Sequence, residues 1–234
     1  MATVDARKLA AAEAAAALVE DSMTVGLGSG STASLAVSAV GRRVAQGLRI
    51  VAIPTSEATA DQARALAIPL VTWDECRHID LTIDGADEVE HGSLDLVKGL
   101  GGALLREKIV ASVTTRLVIV ADESKLVDRL GAGGRPIPVE IVPFGWQTTA
   151  RRLSALGAEW TMRLTAAGQP FITDGGHLIL DCRFSGLGSG RELQRRLGAT
   201  VGVVEHGLFL DMTSEVIVGR GTGEVLNLRP TGKA

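Results

Sequence analysis

Four short runs of this chain, at residues 23–28, 48–54, 78–84 and 116–122, are rich in β-branched residues and apolar on both alternating faces. A strand of that kind has no solvated side, so it has to lie in a sheet covered on both faces. Between the runs stand segments 31–46, 56–67 and 101–113, each with apolar residues at helical spacing and a polar or glycine start. Strand and helix therefore alternate, which is the pattern of a mostly parallel sheet with helices wound on both sides. Ligands of such sheets bind beyond the carboxyl ends of the strands, where the loops converge. Ahead of the first run, residues 5–21 are Ala-rich and interrupted by Glu13, Glu20 and Asp21, which predicts an amphipathic helix rather than a cleaved leader.

The alternation stops near Leu130, where GAGGRPIPVEIVPFG concentrates glycine and proline, and a domain boundary is expected near Gly133. Beyond it the pattern reads strand (138–143), helix (146–157), strand (159–164), a hairpin-like FITDGGHLILD (171–181) and helix (191–198). That is a small α+β domain. Strand-like runs within 206–219 are expected to rejoin the first sheet. The division expected is a doubly wound, Rossmann-like α/β domain of residues 1–133 and 205–234, with an α+β domain of residues 134–204.

Composition narrows the partners. A formal net charge of −3, aromatics at 3% and no Tyr provide neither a basic footprint for a phosphate backbone nor platforms for bases, so no nucleic acid is expected. No stretch approaches the roughly 18 uncharged apolar residues of a membrane span. The two cysteines, Cys76 and Cys182, do not form a C-x-x-C pair. A disulfide framework or a Cys-rich zinc site is thus not encoded, and a reducing, cytoplasmic setting is expected.

Three motifs carry chemistry. In Gly26-Leu27-Gly28-Ser29-Gly30-Ser31-Thr32 a strand runs through glycines into a helix, so that backbone N–H groups, hydroxyls and the positive helix end converge as an anion cradle. Ser31 stands where a dinucleotide fingerprint needs its third glycine, the second strand ends without a ribose-binding acid, and a P-loop lysine is missing. A small phosphate fits better, the alternative being a tight turn with a serine cap. Thr55-Ser56-Glu57 ends the next strand, either adding hydroxyls or capping a helix. A second GLGSG, at 186–190, has no catalytic neighbours and reads as helix capping.

The second motif, Asp84-Gly85-Ala86-Asp87-Glu88, places carboxylates directly after an apolar strand. Clustered acids raise one another's pKa values and can exchange protons with sugar hydroxyls. His78 and His91 flank them at no standard ligand spacing, so no metal is expected. The third, running from Lys98 through Gly99, Leu100, Gly101 and Gly102 to Arg106-Glu107-Lys108, supplies a cation and a carboxylate near one glycine loop. Each motif alone fits a solvated turn or helix. Together they suit a base, an oxyanion stabiliser and a proton shuttle.

The ordered set GLGSGST, TSEAT, DGADEV, KGLGGALLREK, ADESKLVD and VEHGLF closely resembles ribose-5-phosphate isomerase type A over essentially the whole chain. The resemblance implies a doubly wound α/β domain with a small α+β lid, a homodimer or homotetramer, and no metal or organic cofactor. It implies interconversion of D-ribose 5-phosphate and D-ribulose 5-phosphate in the pentose phosphate pathway. It also implies Glu107 as the base, Asp84 and Asp87 as sugar contacts that assist ring opening, and Lys98 as the stabiliser of an enediolate. Ser29, Gly30, Ser31, Thr32, Gly85, Ala86, Gly99, Leu100, Gly101, Lys125 and Lys8 would bind substrate. Ser29 stands where many members carry Thr, Leu100 replaces a common Gly, and one additional residue separates the DGAD and KGLGG blocks. A non-catalytic sugar-phosphate sensor would need a DNA-reading module, and the roughly 20 residues ahead of the first strand are too few for one. An acyl-CoA transferase or amino-sugar deaminase would need a nucleophile or a His acid–base pair, and neither is evident.

Overall fold

The computed structural model describes residues 4–132, 134–184, 190–221 and 223–231. In chain order the first half comprises α1 (Val4–Ala16), β1 (Thr24–Leu27), α2 (Ser31–Ala45), β2 (Val51–Pro54), α3 (Glu57–Ala65), β3 (Ile79–Gly85), β4 (Glu88–Glu90), β5 (Leu96–Val97), α4 (Leu104–Ser112) and β6 (Thr114–Asp122). A single 3₁₀ turn, Glu123–Lys125, leads into β7 (Leu126–Val127). The second half comprises β8 (Ile137–Ile141), α5 (Trp146–Ala155), β9 (Ala158–Met162), β10 (Leu178–Phe184), α6 (Gly190–Gly198), β11 (Val203–His206), β12 (Leu208–Phe209), β13 (Glu215–Gly219) and β14 (Val225–Leu228).

The main sheet has six strands in the order β14-β13-β6-β3-β1-β2, all parallel except the edge strand β14. Apart from the partly exposed edge strand β14, its strands are largely buried on both faces, as their apolar runs require. Val118 and Val120 of β6 join α1 and α2 in one core with Ala11, Ala15, Val25, Val37 and Ile83. Leu117, Ile119 and Ala121 of the same strand turn to the opposite core with Val89, Leu96, Phe209 and Val218. The alanines of α1 permit a close crossing over β13, where a Cβ on Gly219 would overlap the Arg7 carbonyl. The doubly wound fold expected from the alternation is present.

Strand order reverses at β1, which has β2 on one side and β3 on the other. The carboxyl ends of β1 and β3 thus open a crevice at a topological switch point, where doubly wound sheets bind ligands. Residues 27–32 and 84–87 lie there.

A second, antiparallel sheet of order β11-β8-β10-β9 packs on α5 and α6 through Val139, Ile141, Leu153, Leu180, Leu193 and Leu197. The FITDGGHLILD segment differs from its expected hairpin. Its apolar half is β10, paired to β9 and β8, while Thr173–His177 forms only a tight turn, with Thr173 N donating to His177 O at 2.9 Å. Gly176 at φ 80° makes that turn and leaves the first half without a ladder partner of its own. A third sheet of order β12-β5-β4-β7 was not expected, because strands of two or three residues leave no periodicity to read. Of the two strand-like runs expected to rejoin the main sheet, β13 does so beside β6, whereas Leu208–Phe209 pairs with β5 in the third sheet instead. Gly133, the expected boundary, and residues 186–189 of the second GLGSG lie outside the described residues.

Candidate active site

The loop after β1 is built around the carboxyl group of Asp84. A Cβ on Gly28 would lie inside that carboxyl group, so only glycine lets the loop approach. Asp84 Oδ1 accepts from Ser29 N at 3.1 Å and from Gly85 N at 2.7 Å. The Ser29 hydroxyl turns towards the start of α3 and lies within 3.1 Å of the Thr55, Ser56 and Thr59 hydroxyls. Ser56 is the N-cap of α3, accepting from Thr59 N, which is the cap reading of this segment; its hydroxyl otherwise meets those of Ser29 and Thr59. Gly30, at φ 98°, is the N-cap of α2 and has no side chain to satisfy the helix's first N–H groups. Ser31 is exposed beside it and Thr32 is buried. Lys8 reaches over from α1 and donates to Ser31 Oγ at 3.0 Å.

Three charged side chains meet under this loop, all nearly inaccessible: Asp84 (1% exposed), Lys98 (3%) and Glu107 (5%). The Lys98 ammonium is 3.0 Å from Asp84 Oδ2 and 3.3 Å from Glu107 Oε1, and it donates to Gly85 O at 2.5 Å. Glu107 is a first-turn residue of α4 facing inward, and its Oε2 is buried with no hydrogen-bond partner among the described residues. Burial pushes Glu107 up to about 8; Lys98 opposes this, and the like charges of Asp84 and Asp87 reinforce it. Burial also works against the Lys98 ammonium, but Asp84 and Glu107 outweigh it and hold Lys98 above the ordinary lysine value. Burial lifts Asp84 against the pull of Lys98 and the two backbone N–H groups. Burial thus favours the protonated form of both carboxyl groups, most plainly that of Glu107, beside a charged Lys98.

Asp87 borders the cluster and accepts from Leu100 N at 2.9 Å, folding the 98–102 loop over the site. In that loop Gly99 and Gly102 have φ 104° and 88°, and a Cβ on Gly102 would overlap the Phe171 ring. Leu100 is 38% exposed, so its side chain is accommodated outside the core. Gly101 has open space on its Cβ side, and Gly85 and Ala86 are half-buried at the carboxyl end of β3. Lys125, half-buried in the 3₁₀ turn after β6, is pushed below the ordinary lysine value by burial and by the charges of Arg135 and Lys8, against Asp87 and Asp122. Lys8, Lys125 and Arg135 thus concentrate positive charge beside the open end of α2, which suits a dianion.

Sequence reasoning missed the residues contributed by the second sheet. Arg163 of the β9–β10 connection donates to Gly99 O at 2.7 Å and to Leu100 O at 3.0 Å, while pairing with Asp181. Asp174 accepts from Glu57 N at 2.9 Å, and Arg106 bridges Glu57 and Asp174. No signal in the chain joins an arginine at 163 to a loop at 99. Among the described residues no group of three or more His, Cys, Asp or Glu side chains is arranged to hold a metal ion.

A buried carboxyl group with a free oxygen and a pKa near neutral, touching a charged lysine, can take a carbon-bound proton and have the resulting oxyanion stabilised alongside. Comparison with known proteins agrees with that chemistry. The family model for ribose 5-phosphate isomerase A (phosphoriboisomerase A) matches residues 51–223. Ribose-5-phosphate isomerase A of Gloeobacter violaceus is 57% identical over 224 residues, 95% of this chain and 96% of its own. The enzyme of the same name from a Synechococcus species is 52% identical, over 95% and 97% of the two chains. Among solved structures, ribose 5-phosphate isomerase A from Methanocaldococcus jannaschii superposes with a TM-score of 0.91 at 41% identity, covering 97% of this chain and 100% of that one. A D-ribose-5-phosphate isomerase in complex with phospho-erythronic acid gives 0.92 at 35% identity, covering 97% and 100%.

Proposed function

The chain belongs to the ribose 5-phosphate isomerase A family and is an aldose–ketose isomerase of D-ribose 5-phosphate and D-ribulose 5-phosphate in the pentose phosphate pathway; we propose that it works through an enediolate with Glu107 as the base. Ionised Glu107 removes the proton from C2 of the open-chain aldose, and the electron pair of that C–H bond forms the C1–C2 double bond as the carbonyl electrons move onto O1. Lys98 stabilises the negative charge on the enediolate oxygens. Asp84 and Asp87 pass the hydroxyl proton from O2 to O1, and Glu107 returns its proton to C1, leaving the ketone at C2. The same carboxylates assist opening of the sugar ring.

Phosphate recognition belongs, on this reading, to Lys8, Lys125, Ser31, Thr32 and the N–H groups at the start of α2, with Ser29 and Gly30 shaping that turn. Gly85, Ala86, Gly99, Leu100 and Gly101 line the sugar. The phosphate contacts orient C1 and C2 at the base, so truncated sugars lose turnover as well as affinity. The residues of 134–204 form the lid of this site, in a homodimer or homotetramer. Two buried free cysteines support a reducing, cytoplasmic setting.

The observation that carries the reading is Glu107 Oε2, buried and unpartnered, on a carboxyl group raised to about 8 beside Lys98. The test is conversion of ribose 5-phosphate in D₂O by the parent and by Glu107→Gln. Solvent deuterium should enter the ketose at C1 with the parent, and the variant should lose roughly 10²- to 10⁴-fold in kcat. Near-normal turnover in the variant, or a ketose free of deuterium after many reversals, rejects proton transfer by Glu107.

A further inference from the structure

A second group of charges, partly buried, lies behind the site and takes no part in the proton path. Lys108 follows Glu107 on α4, and its side chain turns inward onto the segment that leaves β11 for β12. Its ammonium donates to Glu205 Oε1 and to His206 O, both at 2.6 Å, and lies 4.8 Å from the centre of the Phe209 ring. His206 Nδ1 is 3.2 Å from the same ammonium and accepts from Leu208 N at 3.3 Å, so its ring proton belongs on Nε2. Burial, then the charge of Lys108, holds His206 down at about 4, which keeps the ring neutral.

These contacts clamp the neighbour of Gly207, and Gly207 is where the segment touches Lys98. Lys98 N donates to Gly207 O at 2.8 Å, Gly207 N donates to Pro138 O at 2.7 Å, and a Cβ on Gly207 would overlap Lys98 O. The buried Phe209 ring stands near both ammonium groups, 5.6 Å from that of Lys98. Lys108 is thus joined to Lys98 along the backbone and across one aromatic ring. Burying a lysine costs free energy that a methionine of similar length avoids, and its benefit here is directional, because only the ammonium can hold a carboxylate and a carbonyl in fixed places.

We infer that Lys108 is a positioning residue for the isomerisation: held by Glu205 and His206 O, it fixes residues 205–209 against α4 and so sets where the Lys98 ammonium stands relative to Asp84 and Glu107. The inference rests on Lys98 being the cation of the proposed mechanism. The groups facing Lys98 are Asp84, Asp87 and Glu107, and those facing Lys108 are Glu205 and His206.

The experiment is Lys108→Met in the full chain, with kcat, KM and the pH profile of kcat/KM measured on ribose 5-phosphate. We expect kcat to fall roughly 10-fold or more with KM within about two-fold. The acid limb should move up by roughly half a pH unit or more, because a displaced Lys98 no longer draws the Glu107 pKa down. Partial unfolding alone would reduce the active fraction without moving that limb. Lys108→Arg should restore part of the turnover. Glu205→Gln, which changes a partly exposed acceptor and leaves the core intact, should shift kcat and the acid limb in the same directions by less, and it decides the matter if Lys108→Met does not fold. Parent-like kcat and acid limb in the folded variants overturn the inference. Lys98→Met separates the two readings: retained turnover there rejects Lys98 itself, whereas lost turnover beside a parent-like Lys108→Met rejects only the positioning role.

Discussion

Glu107→Gln should make this enzyme inactive and more stable, with a stability gain that grows with pH. The folded protein holds the Glu107 proton up to about pH 8, whereas an unfolded glutamate releases it near the ordinary 4.5. Between those values the folded state binds more protons, so stability due to this group is fully present below pH 4.5 and is lost as pH rises through 8. At about 1.4 kcal/mol per pH unit, the difference reaches at most about 5 kcal/mol in alkaline solution. Glutamine has the shape of the protonated acid, can still accept from Lys98, and does not ionise. Its advantage should therefore be near zero at pH 5 and several kcal/mol at pH 9, a rise in Tm on the order of 10 °C for a chain of this size. Thermal or urea unfolding of both proteins at pH 5, 7 and 9 measures this. A difference that is constant with pH, or a parent that gains on the variant as pH rises, refutes the reasoning, because it would mean that the Lys98 contact outweighs burial and that Glu107 ionises in the ordinary range. Loss of kcat alongside the gain in stability would identify a carboxylate retained for function at the expense of the fold.

Other consequences are as direct. Lys98→Ala should mainly lower kcat, whereas Lys125→Ala should raise KM for ribose 5-phosphate by roughly 10-fold with a smaller change in kcat; steady-state kinetics showing the reverse would exchange their roles. Gly28→Ala should cost several kcal/mol of stability or nearly all activity, since its Cβ would displace the Asp84 carboxyl group; a parent-like variant by unfolding and turnover would contradict that packing. Phospho-erythronic acid, whose carboxylate resembles the charge of an enediolate, should compete with ribose 5-phosphate and bind more tightly than substrate, and that advantage should shrink in Lys98→Ala.

Much of this was readable along the chain. The alternating runs predicted the doubly wound sheet because a strand buried on both faces leaves a continuous apolar stretch; the observed β1 and β2 fall within those runs, and β3 and β6 overlap theirs, ending one residue later and starting two residues earlier. The glycine loop, the DGAD block and the lysine-to-glutamate block marked strand ends, where a doubly wound sheet gathers its ligands. The FITDGG hairpin failed because a glycine pair signals a turn without saying whether strands flank it, and strands of two residues, such as β5 and β12, carry no period at all.

The chain by itself determined the class of fold, the order of the longer strands and helices and which motifs could hold chemistry, since these depend on local periodicity and on residue type. Only the tertiary structure decided which charges meet. Asp84, Lys98 and Glu107 come from a strand end, a loop and a helix, and the approach of both carboxyl groups to within 3.3 Å of the Lys98 ammonium depends on α4 and the 98–102 loop folding back over the end of β3. Burial is likewise a property of the packed whole: the same glutamate on a solvated helix would ionise near 4.5, and here it holds its proton to about 8. The turn of the Ser29 hydroxyl away from the crevice, the reach of Arg163 to the 99–100 loop and the Phe209 ring between two lysines have no local signature, because each joins residues distant in the chain through contacts that exist only once the core has formed.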